Sequence, residues 1–175
     1  MNKPADHPTS SASPPPLLQA VKLSKIYSMG PTLVPVLKEV ELSVAPGETV
    51  AIVGASGAGK STLLHILGGL DSPSAGRVFF GGQDLYGLTP RKRTALRARQ
   101  IGFVFQFYHL LPELDVLENV LLPTMIRMPL AVRRGWAGPA RPRALELLRA
   151  VGLAQRADHL PRELSGGEQQ RVALV

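Results

Sequence analysis

Nothing in this sequence limits its possible folds as much as the stretch from Thr49 to Leu70. Its centre reads Gly54-Ala55-Ser56-Gly57-Ala58-Gly59-Lys60-Ser61, that is, Gly, four residues, Gly, Lys and Ser. Before it stands Thr49-Val50-Ala51-Ile52-Val53, a continuous apolar and β-branched run of the kind that forms a strand buried on both faces of a parallel sheet. After it, Leu63, Leu64, Ile66, Leu67 and Leu70 recur at helical spacing. Strand, glycine loop and helix in that order predict an α/β fold.

The residue types in the loop suit one chemistry. Glycines let the backbone curl so that successive N–H groups point inward at phosphate oxygens. The first turn of the following helix adds the positive end of its dipole, and Lys60 supplies a mobile cation for the outer phosphates. The Ser61 hydroxyl suits Mg²⁺, and Thr62 continues the same turn. A loop of this type marks a nucleoside triphosphatase but does not separate a kinase, a GTPase, a helicase or a transport motor.

Other segments frame the loop. Residues 1–16 hold five prolines among Ser, Thr and Ala, too few large apolar groups to form a core, and read as a tail. From Leu17, the positions Val21, Leu23 and Ile26, then Val34, Val36, Val40, Leu42 and Val44, give half-buried strands that end in a turn at Pro46-Gly47. Arg77 to Phe80 reads as a strand closed by Gly81-Gly82. Thr89-Pro90 reads as the cap and first residue of a basic helix. Ile101 to Phe105 is a second buried-strand candidate with Gln106 at its end. Leu114 to Met128 reads as a helix interrupted at Pro123, residues 127–142 as a connector, and Arg143 to Val151 as a helix stopped by Gly152.

With 20 Lys and Arg against 13 Asp and Glu, phosphate-bearing partners come into consideration. Arg91, Lys92, Arg93, Arg97 and Arg99 form one cationic group, and Arg127, Arg133, Arg134, Arg141 and Arg143 another. No aromatic residue interleaves the first, so it reads as a solvated helix face, and no nucleic acid is expected. Absence of Cys removes disulfides and thiolate metal sites, and His65, His109 and His159 lack metal-ligand spacing. Trp136 reads as a packing anchor. No apolar run reaches the roughly 18 to 20 residues that span a bilayer, and no signal-peptide pattern opens the chain, so a cytosolic location is expected.

A second motif narrows the class. Leu164-Ser165-Gly166-Gly167-Glu168-Gln169-Gln170-Arg171 resembles the signature sequence of the ABC ATPases, and Gln106 resembles their Q-loop glutamine. Ser165 and Glu168 also have capping-box spacing, and the two readings are compatible, because a helix that opens on two glycines presents N–H groups to an anion. The resemblance runs from about Leu17 to Arg171. Within the family, Ser61 to Asp71, Gln106 to Pro112 and Leu117 to Val120 are most similar to the ATPases of lipoprotein-releasing systems, with macrolide-exporter-type ATPases as the alternative. A soluble ATPase of chromosome maintenance is disfavoured, since no long insertion separates Lys60 from Ser165.

The resemblance implies a RecA-like P-loop core with an antiparallel β subdomain over residues 17–106, a helical subdomain over residues 107–165, and the start of the signature helix over residues 164–175. It implies that Gly54 through Thr62 bind the phosphates of ATP and that Ser61 and Gln106 serve Mg²⁺. Tyr27 would stack on adenine, and Ser165, Gly166, Gly167 and Glu168 would act on the nucleotide of a partner in a homodimer. Integral permease subunits would anchor the pair at the cytoplasmic face of a bacterial inner membrane, received where Phe107 and Tyr108 follow Gln106. The family's Mg²⁺-holding Asp, catalytic Glu and switch His have no counterpart up to Val175. The chain is therefore expected to be a fragment that lacks part of its sheet and binds nucleotide without hydrolysing it alone.

Overall fold

A computed structural model describes residues 15–127 and 138–175, apart from the side chains of residues 125–127. Most of the tail and connector, and Arg133, Arg134 and Trp136, thus lie outside the described residues. The described chain divides into two compact units, the first ending at Ile101 and the second beginning at Gly102.

In the first unit, β1 (Leu18–Met29) and β2 (Thr32–Val44) form a long hairpin. β3 (Ala75–Phe80) pairs with the other edge of β1, and β4 (Gln83–Asp84) completes a four-stranded sheet of order β2-β1-β3-β4. Every pairing in it is antiparallel. Helix α1 (Lys60–Leu67) buries Leu63, Ile66 and Leu67 with Ala20, Leu23, Leu37, Val78 and Leu85, which is the helical spacing expected of them. Leu64 and Leu70 point outward.

The hairpin is not regular. Its register slips between Ala20 and Leu23, where Lys22 (φ 47°) and Glu39 (φ 43°) both take left-handed backbone conformations. Side chains satisfy the displaced amides: Lys22 N donates to Glu41 Oε1 at 2.9 Å, and Glu39 N donates to Ser24 Oγ at 2.9 Å. Gly76 faces this distortion with φ 87°, and a Cβ there would lie 2.3 Å from Lys22 O.

Helix α2 (Pro90–Gln100) begins where Thr89 accepts a hydrogen bond from Lys92 N, as its sequence predicts. Arg91, Lys92 and Arg99 are exposed, Arg97 donates to Gly69 O at 2.6 Å, and Arg93 lies over the Tyr86 ring. The cationic group is thus largely a solvated face.

The second unit is helical. α3 (Val116–Arg127), α4 (Arg141–Ala150) and α5 (Gly166–Ala173) surround a core of Val116, Leu117, Leu121, Leu148, Leu153, Leu164 and Val172. Gly152 (φ 73°) ends α4, with its own N–H on Arg149 O and that of Leu153 on Leu148 O, a left-handed cap that satisfies two terminal carbonyls.

Three expectations are corrected. Thr49 to Val53 forms no strand: Val50 and Val53 are 40% and 88% exposed, and the segment makes no ladder bond among the described residues. An apolar run is buried on both faces only with neighbours on both sides, and the described sheet does not include it. Ile101 to Phe105 likewise carries no strand, with Val104 58% exposed, so Gln106 does not stand at a strand end. Pro123 does not interrupt α3. It stands exposed within the continuous helix, where only the i→i−4 bond of its missing N–H is lost.

Candidate nucleotide-binding site

The glycine loop enters α1 through two left-handed residues, Gly57 (φ 78°) and Gly59 (φ 84°). Gly59 has a second constraint, since a Cβ there would meet Val36 Cγ1 at 2.9 Å and Val36 O at 3.0 Å. Ala58 N closes a tight turn onto Ala55 O at 3.2 Å. The Lys60 side chain folds back across the loop, and its Nζ donates to Gly54 O at 2.9 Å and Ala55 O at 2.7 Å. No side chain caps the start of α1, and no acidic residue stands in its first turn. The positive helix end and the ammonium therefore face the same loop with no competing carboxylate, an arrangement that fits a polyphosphate. Ser56 and Ser61 are exposed, so the Ser61 hydroxyl is open to a cation.

Tyr27 lies in the same unit with its ring partly exposed. Its hydroxyl donates to Asp71 Oδ2 at 2.7 Å, and this bond, with burial, raises its pKa. Burial pushes the Asp71 carboxyl up, but hydrogen bonds from Lys25, Tyr27 and the Ser72 amide outweigh it, so Asp71 sits below the usual carboxylate range. Lys25, buried, donates to Asp71 Oδ1 at 2.8 Å and to Ser72 O at 2.7 Å.

The second unit holds Gln106 and the signature. Gln106 is exposed and is followed by Phe107, 74% exposed, and half-buried Tyr108. Ser165 and Glu168 form the predicted capping box of α5. Ser165 N and Oγ both donate to Glu168 Oε2 at 2.8 Å, and Glu168 N returns to Ser165 Oγ at 3.3 Å. Arg156 Nε lies 3.3 Å from Glu168 Oε1, and Gln169 Nε2 ties the helix start to Pro161 O and Leu164 O. Gly166 and Gly167 stay exposed at the helix start.

The structure thus brings Gly54 to Thr62 and Tyr27 into one unit, and Gln106 and Ser165 to Glu168 into the other. Two polar anchors escaped the sequence reading. Asn119, buried, accepts from Leu111 N and donates to Leu111 O, Leu114 O and Asp115 O, fixing the segment after Gln106 onto α3. Lys25 alternates with Leu23 on the buried side of β1, and a lysine there requires a counter-charge, a signal that announces a buried ion pair without naming its partner.

The hydrogen bonds from Ser165 to Glu168 hold its carboxyl below its ordinary pKa. A depressed folded-state value contributes stability that is complete above the unfolded pKa, near 4.5, and is lost as pH falls through the lower folded value. Glu168→Gln is expected to flatten the decline of melting temperature on acidification below about pH 4.5. Thermal melts of both proteins across that window test this, and parallel curves would show the box to be electrostatically idle.

A phosphate loop on one unit and a glycine-led signature helix on the other define the ATP-binding subunit of an ABC transporter. The family profile described as ABC transporter matches residues 37–175, and the chain belongs to that family. Its relatives include the lipoprotein-releasing system ATP-binding protein LolD of Bordetella pertussis, 57% identical over 160 residues, which cover 91% of this chain and 67% of that protein. LolD of Geobacter metallireducens is 55% identical over 91% of this chain and 68% of its own length. The chain is also similar to the dimeric ATP-binding cassette MJ0796 solved in a post-hydrolysis state with ADP and Pi. That structure has a TM-score of 0.78 and 41% identity over 90% of this chain and 67% of the other. The chain spans about two thirds of the length of these relatives.

Proposed function

We propose that the chain supplies ATP binding and half of each dimeric nucleotide site to an ABC system that releases lipoproteins from the bacterial inner membrane. One observation carries the ATP reading: an uncapped, acid-free start of α1 under the Lys60 ammonium, entered through Gly57 and Gly59. The 57% identity to LolD carries the transport reading.

In this reading the loop amides and Lys60 bind the outer phosphates, and Tyr27 presents its ring to adenine. Mg²⁺ would be held by the Ser61 hydroxyl, supplying charge neutralisation on the phosphates. Among the described residues no cluster of three His, Cys, Asp or Glu could hold a metal alone. Ser165, Gly166, Gly167 and Glu168 present the start of α5 to the nucleotide of a second copy. Phe107 and Tyr108 offer a permease subunit its docking surface. No described helix is long and apolar enough to cross a membrane.

The reading assigns no general base to residues 17–175, so this chain alone is expected to bind ATP and release no phosphate above background. Steady phosphate release by the isolated chain would overturn that assignment. The transport reading is tested by grafting residues 17–175 onto the remaining third of a LolD relative and measuring lipoprotein release from reconstituted membranes. ATP-dependent release is expected. A graft that binds ATP and moves no lipoprotein sinks the transport reading alone.

A further inference from the structure

We propose that Lys25 and Asp71 are positioning residues for the nucleotide base, fixing the Tyr27 ring so that only one of its faces is offered for stacking. The proposal rests on the reading of Tyr27 as the adenine-stacking residue.

The network is closed on every side. Asp71 uses one carboxylate oxygen for the Tyr27 hydroxyl and the other for Lys25 Nζ and the Ser72 amide. Lys25 Nζ also lies 4.6 Å from the Tyr27 ring centroid, covering one face of the ring with a cation while the residue as a whole stays 37% exposed. An exposed tyrosine normally samples several rotamers, and the hydroxyl bond removes that freedom before any ligand arrives.

Asp71 is itself held. Gly69 (φ 72°) ends α1 in a left-handed conformation, with Leu70 N and Asp71 N both donating to His65 O. The Tyr86 hydroxyl bridges Ile66 O and Asp71 O. The carboxylate that orients Tyr27 therefore sits in the turn that follows the helix whose first residue is Lys60. Helix α1 and the turn bonded onto it thereby link the base-stacking ring to the phosphate loop, so a ligand with both base and phosphates gains from the network and one with phosphates alone does not.

The experiment compares ATP with inorganic tripolyphosphate, which lacks a base, by calorimetry on the full chain. Tyr27→Phe keeps the ring and removes only the hydroxyl bond. It is expected to weaken ATP about fivefold and to leave tripolyphosphate unchanged. Because Asp71→Asn alone would strand a buried ammonium, the pair is tested as Lys25→Met with Asp71→Leu, which replaces both charges by apolar groups. The same selective loss is expected.

Wild-type ATP affinity in Tyr27→Phe would overturn the proposal, and so would a parallel loss of both ligands, which marks a purely structural network. Tyr27→Ala separates the underlying reading. If it too binds ATP normally, the stacking assignment fails. If Tyr27→Ala weakens ATP and Tyr27→Phe does not, stacking stands and the positioning role falls.

Discussion

Lys60→Ala is expected to lower ATP affinity by about two orders of magnitude while leaving the melting temperature nearly unchanged. The two halves of that expectation come from different parts of the geometry. Among the described residues Lys60 Nζ hydrogen-bonds Gly54 O and Ala55 O, on a loop whose residues from Gly54 to Ala58 are exposed, so its removal opens no cavity. Its charge is the mobile cation of the loop, and losing a charge-assisted bond to phosphate costs roughly 2–3 kcal/mol, a factor of about a hundred near the upper end. Fluorescence titration with ATP, paired with a thermal melt, reads both quantities. Equal affinity in the variant would reduce the loop to a connector. A melt lowered in step with affinity would mean that the lysine holds the loop together rather than its ligand.

Gly76→Ala is expected to be among the most destabilising single-methyl changes in the chain. The residue has φ 87°, which an alanine adopts only with strain, and its new Cβ would lie 2.3 Å from Lys22 O and 2.6 Å from Val21 O. Both obstacles are backbone atoms of the central strand, so no rotamer change relieves them and β3 must move away from β1. Strain and overpacking together put the cost at roughly 3–5 kcal/mol, a fall in melting temperature of about 10 °C or more. Denaturant unfolding followed by circular dichroism measures it. Gly82→Ala is the control, since its φ of 77° brings the same backbone strain while nothing lies within 4 Å of its Cβ. If the two variants lose equal stability, the close approach at Gly76 is not what matters.

Much of this architecture is legible before any coordinates, and the pattern of success follows the range of the forces involved. Thr89, Ser165 with Glu168, and Gly152 act through hydrogen bonds to residues a few positions away, so their cap roles can be read from spacing alone. Leu63, Ile66 and Leu67 declare a helix face by their period. The phosphate loop is legible because its glycines answer local backbone demands at Gly57 and Gly59.

What stayed hidden depends on distant partners. Composition marks Thr49 to Val53 as a strand, yet a strand exists only where another supplies its ladder, and a one-dimensional pattern does not show whether one does. Pro123 reads as a break because its missing N–H is a local fact, whereas the packing of Leu117 and Leu121 that holds α3 together is a tertiary one. The Lys25–Asp71 pair spans 46 positions, and nothing near either residue names the other. The assignments of Tyr27 and Gln106 came from family resemblance rather than from any local rule.

The exposed run from Thr49 to Val53 has a practical consequence for handling this protein. Val50, Ile52 and Val53 are β-branched, the segment contains neither charge nor proline, and its amides and carbonyls have no ladder partner among the described residues. Such a segment is a template for intermolecular cross-β pairing, and identical copies meet in register at high concentration. For this chain, a charged gatekeeper at Val53, the most exposed position of the run, is expected to raise the concentration at which light scattering first appears without touching the core.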